Sequence, residues 1–130
     1  MKTGLQPGHR ESITIYVAED MCPSFGGDVV HPVLSTVTMV YYMEWVSRLI
    51  ILPFLEPEEE GIGTSICITH MAPAPIGKEV TFFAEASEVH DRKVVCKVWA
   101  EHDKAQIGEG VFTQIVKRKS DILQRIEAMR

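Results

Sequence analysis

Apolar and polar side chains alternate from Ser12 to Ala18, where Ile13, Ile15 and Val17 are separated by Thr14 and Tyr16. A period of two marks a half-buried strand, so this segment predicts the first strand. The stretch from Met21 to Pro32 holds the breakers Pro23, Gly26, Gly27 and Pro32 and reads as a loop able to shape a pocket mouth. The period then changes. From about Ser35 to Leu52, residues such as Val37, Met39, Tyr41, Met43, Val46 and Ile50 leave almost no polar face, which predicts a helix wrapped on most sides. Ser35 or Thr36 can cap its start and Pro53 stops its end. The acidic run from Glu56 to Glu60 reads as a solvated loop.

Four strands with short connections follow, at about Gly63 to Met71, Lys78 to His90, Lys93 to Glu101 and Gln106 to Lys117. Val80, Phe82, Ala84 and Ala86 define one inward face, and Val94, Cys96, Val98 and Ala100 another. Ser120 to Arg130 predicts a short amphipathic helix, with Ser120 as its cap and Ile122, Leu123, Ile126 and Met129 on one side. The elements make a single α+β domain over residues 1–130, in which one face of an antiparallel sheet packs on the long helix.

Composition agrees with one compact domain: 130 residues, 45% hydrophobic and 24% charged. A chain of this size buries roughly two-thirds of its unfolded surface, enough for a core without disulfides or metal. A net charge of −5 is the wrong sign for a protein that neutralises phosphate backbones, which argues against nucleic acid as a partner. No signal-like segment opens the chain, so a cytoplasmic location is expected. Glu44, Ser47 and Arg48 interrupt the greasiest stretch, Val37 to Leu55, and argue against a membrane span. Cys22, Cys67 and Cys96 form no Cys-x-x-Cys pair and read as free thiols. Cys67 and His70 are too few ligands for a metal, and strand alternation sends them to opposite faces, so neither metal nor cofactor is expected. The motifs of serine hydrolases, P-loop enzymes and Rossmann domains are missing, and Gly61-Ile-Gly63 stops short of a dinucleotide loop.

Two ionisable residues stand out. Glu44 lies on the most apolar helix, one turn before Arg48. It reads either as half of an i,i+4 ion pair at a solvent seam, or as a carboxylate whose lost hydration makes it a better base. In the run from Ile62 to His70, alternation puts His70 with Ile62, Thr64, Ile66 and Ile68, facing the helix. Alone it reads as a hydrogen-bonded core histidine; with Glu44 aimed at the same interior, a catalytic pair becomes the alternative. Thr36 could be a cap only. If both were helical, its eight-residue separation from Glu44 would be roughly 12 Å of rise, so the two could meet only through substrate or across a subunit interface. The helix start also offers unpaired amides that can hold an oxyanion.

These residues fall in a recognisable order: Thr36 through Tyr42-Met43-Glu44-Trp45, Gly63-Thr64 followed by Thr69-His70, Ala72-Pro-Ala-Pro75-x-Gly77, and Ala100-x-His102-Asp103. Over about residues 10 to 118 the sequence resembles the fluoroacetyl-CoA thioesterase-like branch of the hot-dog acyl-CoA thioesterases. The resemblance implies a hot-dog fold, a curled antiparallel sheet wrapped around a long central helix, and at least a homodimer, with a tetramer as the other option. It implies hydrolysis of a small acyl-CoA to acid and free CoA, with Thr36, Glu44 and His70 catalytic and Gly63 and Gln114 at the substrate. A non-catalytic acyl-CoA binder and a hot-dog enoyl-CoA hydratase are the competing readings. Two departures are visible. Gly27 and Val30 stand where the branch has aromatic residues in the loop before the helix, and Gln114 stands where it has an arginine. Lys78, Arg92, Lys93, Lys104 and Lys117 are the cations available to CoA phosphates.

Overall fold

A computed structural model describes residues 1–130. Strand β1 (Arg10–Tyr16) leads through a 3-10 turn to a small hairpin, β2 (Ser24–Phe25) and β3 (Asp28–Val29). The long helix α1 (Thr36–Ile51) follows, then β4 (Glu59–His70), β5 (Glu79–Val89), β6 (Lys93–Glu101), β7 (Gln106–Arg118) and the terminal helix α2 (Lys119–Ala128). Five strands form one antiparallel sheet in the order β1-β5-β6-β7-β4. Each of the five contacts α1, so the sheet curls about it as a hot-dog fold requires.

Packing follows the sequence periods. Met39, Met43, Val46 and Ile50 are fully buried on α1 and meet Val80, Phe82, Ala84, Val94, Cys96, Val98 and Ala100 from the sheet. Each large side chain removed from water in this way contributes about 1.5–3 kcal/mol before conformational entropy is set against it. The breaker-rich loop is more ordered than its composition suggests. Gly26 and Gly27, at φ +61° and +90°, make the two-residue turn that closes β2 onto β3, a conformation that glycine adopts without steric cost.

Several sequence expectations need correction. The acidic run is not simply a solvated loop: Glu59 opens β4, is buried, and accepts from the Met1 ammonium at 2.6 Å and the Glu56 amide at 2.9 Å. These donors compensate a carboxylate that would otherwise be costly to bury, and they hold its pKa below the ordinary 4.5, the Met1 hydrogen bond contributing most. The anticipated Glu44–Arg48 ion pair is replaced by Arg48 to Glu60, 2.7 Å apart. That contact lowers the pKa of Glu60 and raises that of Arg48. α1 is not wrapped on most sides, because Val37, Tyr41 and Trp45 are exposed on its outer face. Ser120 does not cap α2: β7 runs directly into the helix at Arg118, and Leu123, Ile126 and Met129 lie exposed.

Candidate active site

The helix start is capped by Ser35, whose Oγ accepts from the Thr38 amide at 3.0 Å. With the cap supplied by its neighbour, the hydroxyl of Thr36 is free to turn to the sheet. It lies 2.9 Å from Nδ1 of His70, at the end of β4. A neutral imidazole holds one donor and one acceptor nitrogen, so this contact fixes either the tautomer of His70 or the direction of the Thr36 proton. Thr36 also borders a concavity under the β2–β3 hairpin, with Pro23, Phe25, Ser35 and Val37.

His70 reaches this place through an irregularity that alternation from Ile62 does not anticipate. The β4–β7 register shifts between Gly63 and Ser65, leaving Thr64 as an extra, bulged residue whose Oγ1 donates to the Thr113 carbonyl at 3.2 Å. A bulge exchanges the faces of a strand. Before it, Gly61 and Gly63 face the helix; after it, Ile66, Ile68 and His70 do. Ile62 and His70 therefore lie on opposite faces, while Gly63 and His70 share one.

Gly63 makes room for Glu44. A Cβ at position 63 would stand 3.1 Å from Glu44 Oε2 and 2.8 Å from Cζ of Phe112. The Glu44 carboxylate is exposed in the protomer, in a groove with Tyr41, Trp45 and Arg48. Neither Phe112 nor this groove was anticipated from sequence, although glycines inside a strand signal a bulge or a close approach.

Two pairs result, Thr36 with His70 and Glu44 with Gly63. They are not brought together within one protomer, being separated by eight residues of helix, roughly 12 Å of rise. Gln114 lies elsewhere again. It is 2% exposed, pairs across the sheet with Gly63, and donates from Nε2 to the Ser47 carbonyl of α1 at 2.9 Å. Among the expected phosphate partners, Lys78 is paired with Asp103 and Arg92 lies 3.4 Å from Glu59, whereas Lys93, Lys104 and Lys117 make no ion pair. No helix is long and apolar enough to cross a membrane.

Comparison with known proteins gives a consistent result. The family model described as fluoroacetyl-CoA-specific thioesterase matches residues 17–120. A fluoroacetyl-CoA thioesterase of Streptantibioticus cattleyicolor is 39% identical over 84 residues, 65% of this chain and 60% of the relative. The matched stretch thus spans less than two thirds of that relative's length. Among solved structures, a thioesterase superfamily member from Thermus thermophilus superposes with a TM-score of 0.93 at 31% identity, covering 98% of this chain and 94% of that one. The fluoroacetyl-CoA thioesterase FlK superposes with a TM-score of 0.90 at 28% identity, covering 98% of each chain.

Proposed function

Since the chain belongs to the fluoroacetyl-CoA-specific thioesterase family, we propose that it hydrolyses a small acyl-CoA thioester to the carboxylic acid and free CoA. The observation that carries this reading is the Thr36–His70 contact of 2.9 Å at an open helix start, with a carboxylate seated over Gly63 on the same sheet face. Glu44 either takes a proton from the attacking water, or attacks the thioester carbonyl to form an acyl anhydride that water then hydrolyses to release the acid and restore the carboxylate. The Thr36 hydroxyl and first-turn amides stabilise the oxyanion, and His70 delivers a proton to the departing CoA sulfur. Gly63 leaves space for the acyl group. Water is the co-substrate, and each step falls to Thr36, Glu44, His70 and the helix amides.

The 12 Å between the two pairs is bridged in this reading by a second copy of the chain. β4 is an edge strand of 12 residues, unpaired on its outer side, and the neighbouring helix presents exposed Val37, Tyr41 and Trp45. Long bare edges and apolar patches are ordinarily covered, and a two-fold homodimer covers both at once. Glu44 of one protomer then faces the Thr36–His70 pair of its partner. Three free cysteines suit the reducing cytoplasm. Gly27 lies in the hairpin turn and Val30 is exposed, so neither position carries the ring found in the fluoroacetyl-selective branch, which argues against the same preference for fluorine.

The test is thiol release from acetyl-, propionyl- and fluoroacetyl-CoA by the parent and by Glu44→Gln. Loss of about 100-fold or more is expected for the variant; a Glu44→Gln protein as active as the parent removes Glu44 from the mechanism. Tight binding without thiol release would establish the binder instead.

A further inference from the structure

Below the turn of α1 that carries Glu44 lies a closed polar cluster in the apolar core. Gln114 donates to the Ser47 carbonyl at 2.9 Å and Ser47 Oγ donates to the Met43 carbonyl at 2.8 Å, beside the fully buried Cys96 thiol. Gln114 and Ser47 are 2% and 0% exposed. The Ser47 carbonyl belongs to the regular helical ladder, so the Gln114 amide reaches it as an additional donor. Replacing both partners of such a buried contact by apolar groups is often close to neutral for stability. What the contact supplies is direction: it ties one turn of an otherwise apolar helix to one residue of the sheet.

That residue is the cross-strand partner of Gly63, and Gly63 is the seat of the Glu44 carboxylate. Arg48, one turn beyond Glu44, is tied to Glu60 of β4. The Glu44 turn is therefore fixed from the core side by Gln114 and along the edge strand by Glu60. We propose that Gln114 is a positioning residue, which sets the rotation and height of α1 over β4 and β7 so that the Glu44 carboxylate stands over Gly63. It acts through the helix backbone and does not touch substrate. This rests on the reading of Glu44 as the catalytic carboxylate, and replaces a substrate contact at position 114 by a structural tie.

Gln114→Met removes the donor at nearly constant volume. Expected are a fall in kcat of about 10-fold, the scale of a small misplacement of a reacting group, KM within about twofold, and little change in Tm. NMR of carboxyl-labelled glutamate supplies a second readout independent of turnover, the Glu44 signal being assigned by its disappearance in Glu44→Gln. A displaced Glu44 signal in Gln114→Met supports the positioning role even if Glu44 proves not to be catalytic. An unchanged Glu44 signal together with unchanged kcat overturns it. Gln114→Leu, which removes the same donor with different packing, answers the question if the Met variant does not fold.

Discussion

The hydroxyl of Thr36 and Nδ1 of His70 lie 2.9 Å apart, joining the first residue of the helix to the last residue of β4. The contact depends on Ser35 taking the cap. Thr36→Ala should lower kcat by about 10- to 100-fold, as loss of one oxyanion donor or of imidazole orientation does, while Thr36→Ser retains most activity. Equal rates for the Ala variant and the parent, measured by thiol release, would leave Thr36 a purely local residue.

Gly63 and Gly61 offer a paired experiment. An added Cβ at 63 meets the Phe112 ring, which is 3% exposed and does not yield cheaply, and pushes the exposed tip of the Glu44 carboxylate from its seat. At position 61 it meets Cδ1 of Ile51, which is fully buried, and no atom of Glu44. Both Gly63→Ala and Gly61→Ala should cost about 1–3 kcal/mol, whereas only Gly63→Ala should cost most of the activity, since only there does the added methyl displace Glu44. Denaturant melts and thiol-release assays on the two variants measure the difference.

Glu59 and Glu60 make stability depend on pH in a defined direction. Both carboxyls have folded pKa values below the ordinary 4.5, because of the Met1 ammonium and the Arg48 guanidinium respectively. Their contributions are present above 4.5 and are lost as pH falls through the lower folded values. Tm measured from neutral pH down to about 3 should therefore fall less steeply for Glu59→Gln or Glu60→Gln than for the parent. Parallel curves would assign the acid sensitivity elsewhere.

Association should be required for catalysis. Tyr41→Glu combined with Trp45→Glu places two charges on the exposed face of α1, and should convert a dimer into monomers with little activity. Sedimentation and thiol release on the same samples check this. A fully active monomer would mean that the 12 Å gap is closed within one chain.

Most of the fold is written in the apolar pattern. Residues such as Phe82, Val98 and Met43 have one way of leaving water, and they do so where the periodicity places them. The site was less legible. Thr36, Glu44 and His70 stand out by chemical type, but their arrangement depends on Thr64, whose extra place in β4 exists only relative to its partner Thr113. The burial of Glu59 rests on the Met1 ammonium, 58 residues away, and alternation within one segment carries no information about such a partner. The groove at Glu44 is likewise lined by Tyr41, Trp45 and Arg48, and the place of Arg48 depends on its pairing with Glu60 of β4, which helix periodicity does not reveal.

Strand parity has a consequence of its own. With Thr64 deleted, Gly63 and Ser65 would stand in regular succession opposite Gln114 and Thr113, and His70 would keep its inward side. Were Thr64 instead drawn into the ladder opposite Thr113, every side chain from Ser65 onward would exchange sides, turning the imidazole at position 70 to solvent and carrying Cys67 and Thr69 inward. The unpaired place of one residue, which has no reactive group used in the chemistry, thereby keeps the histidine available to the site.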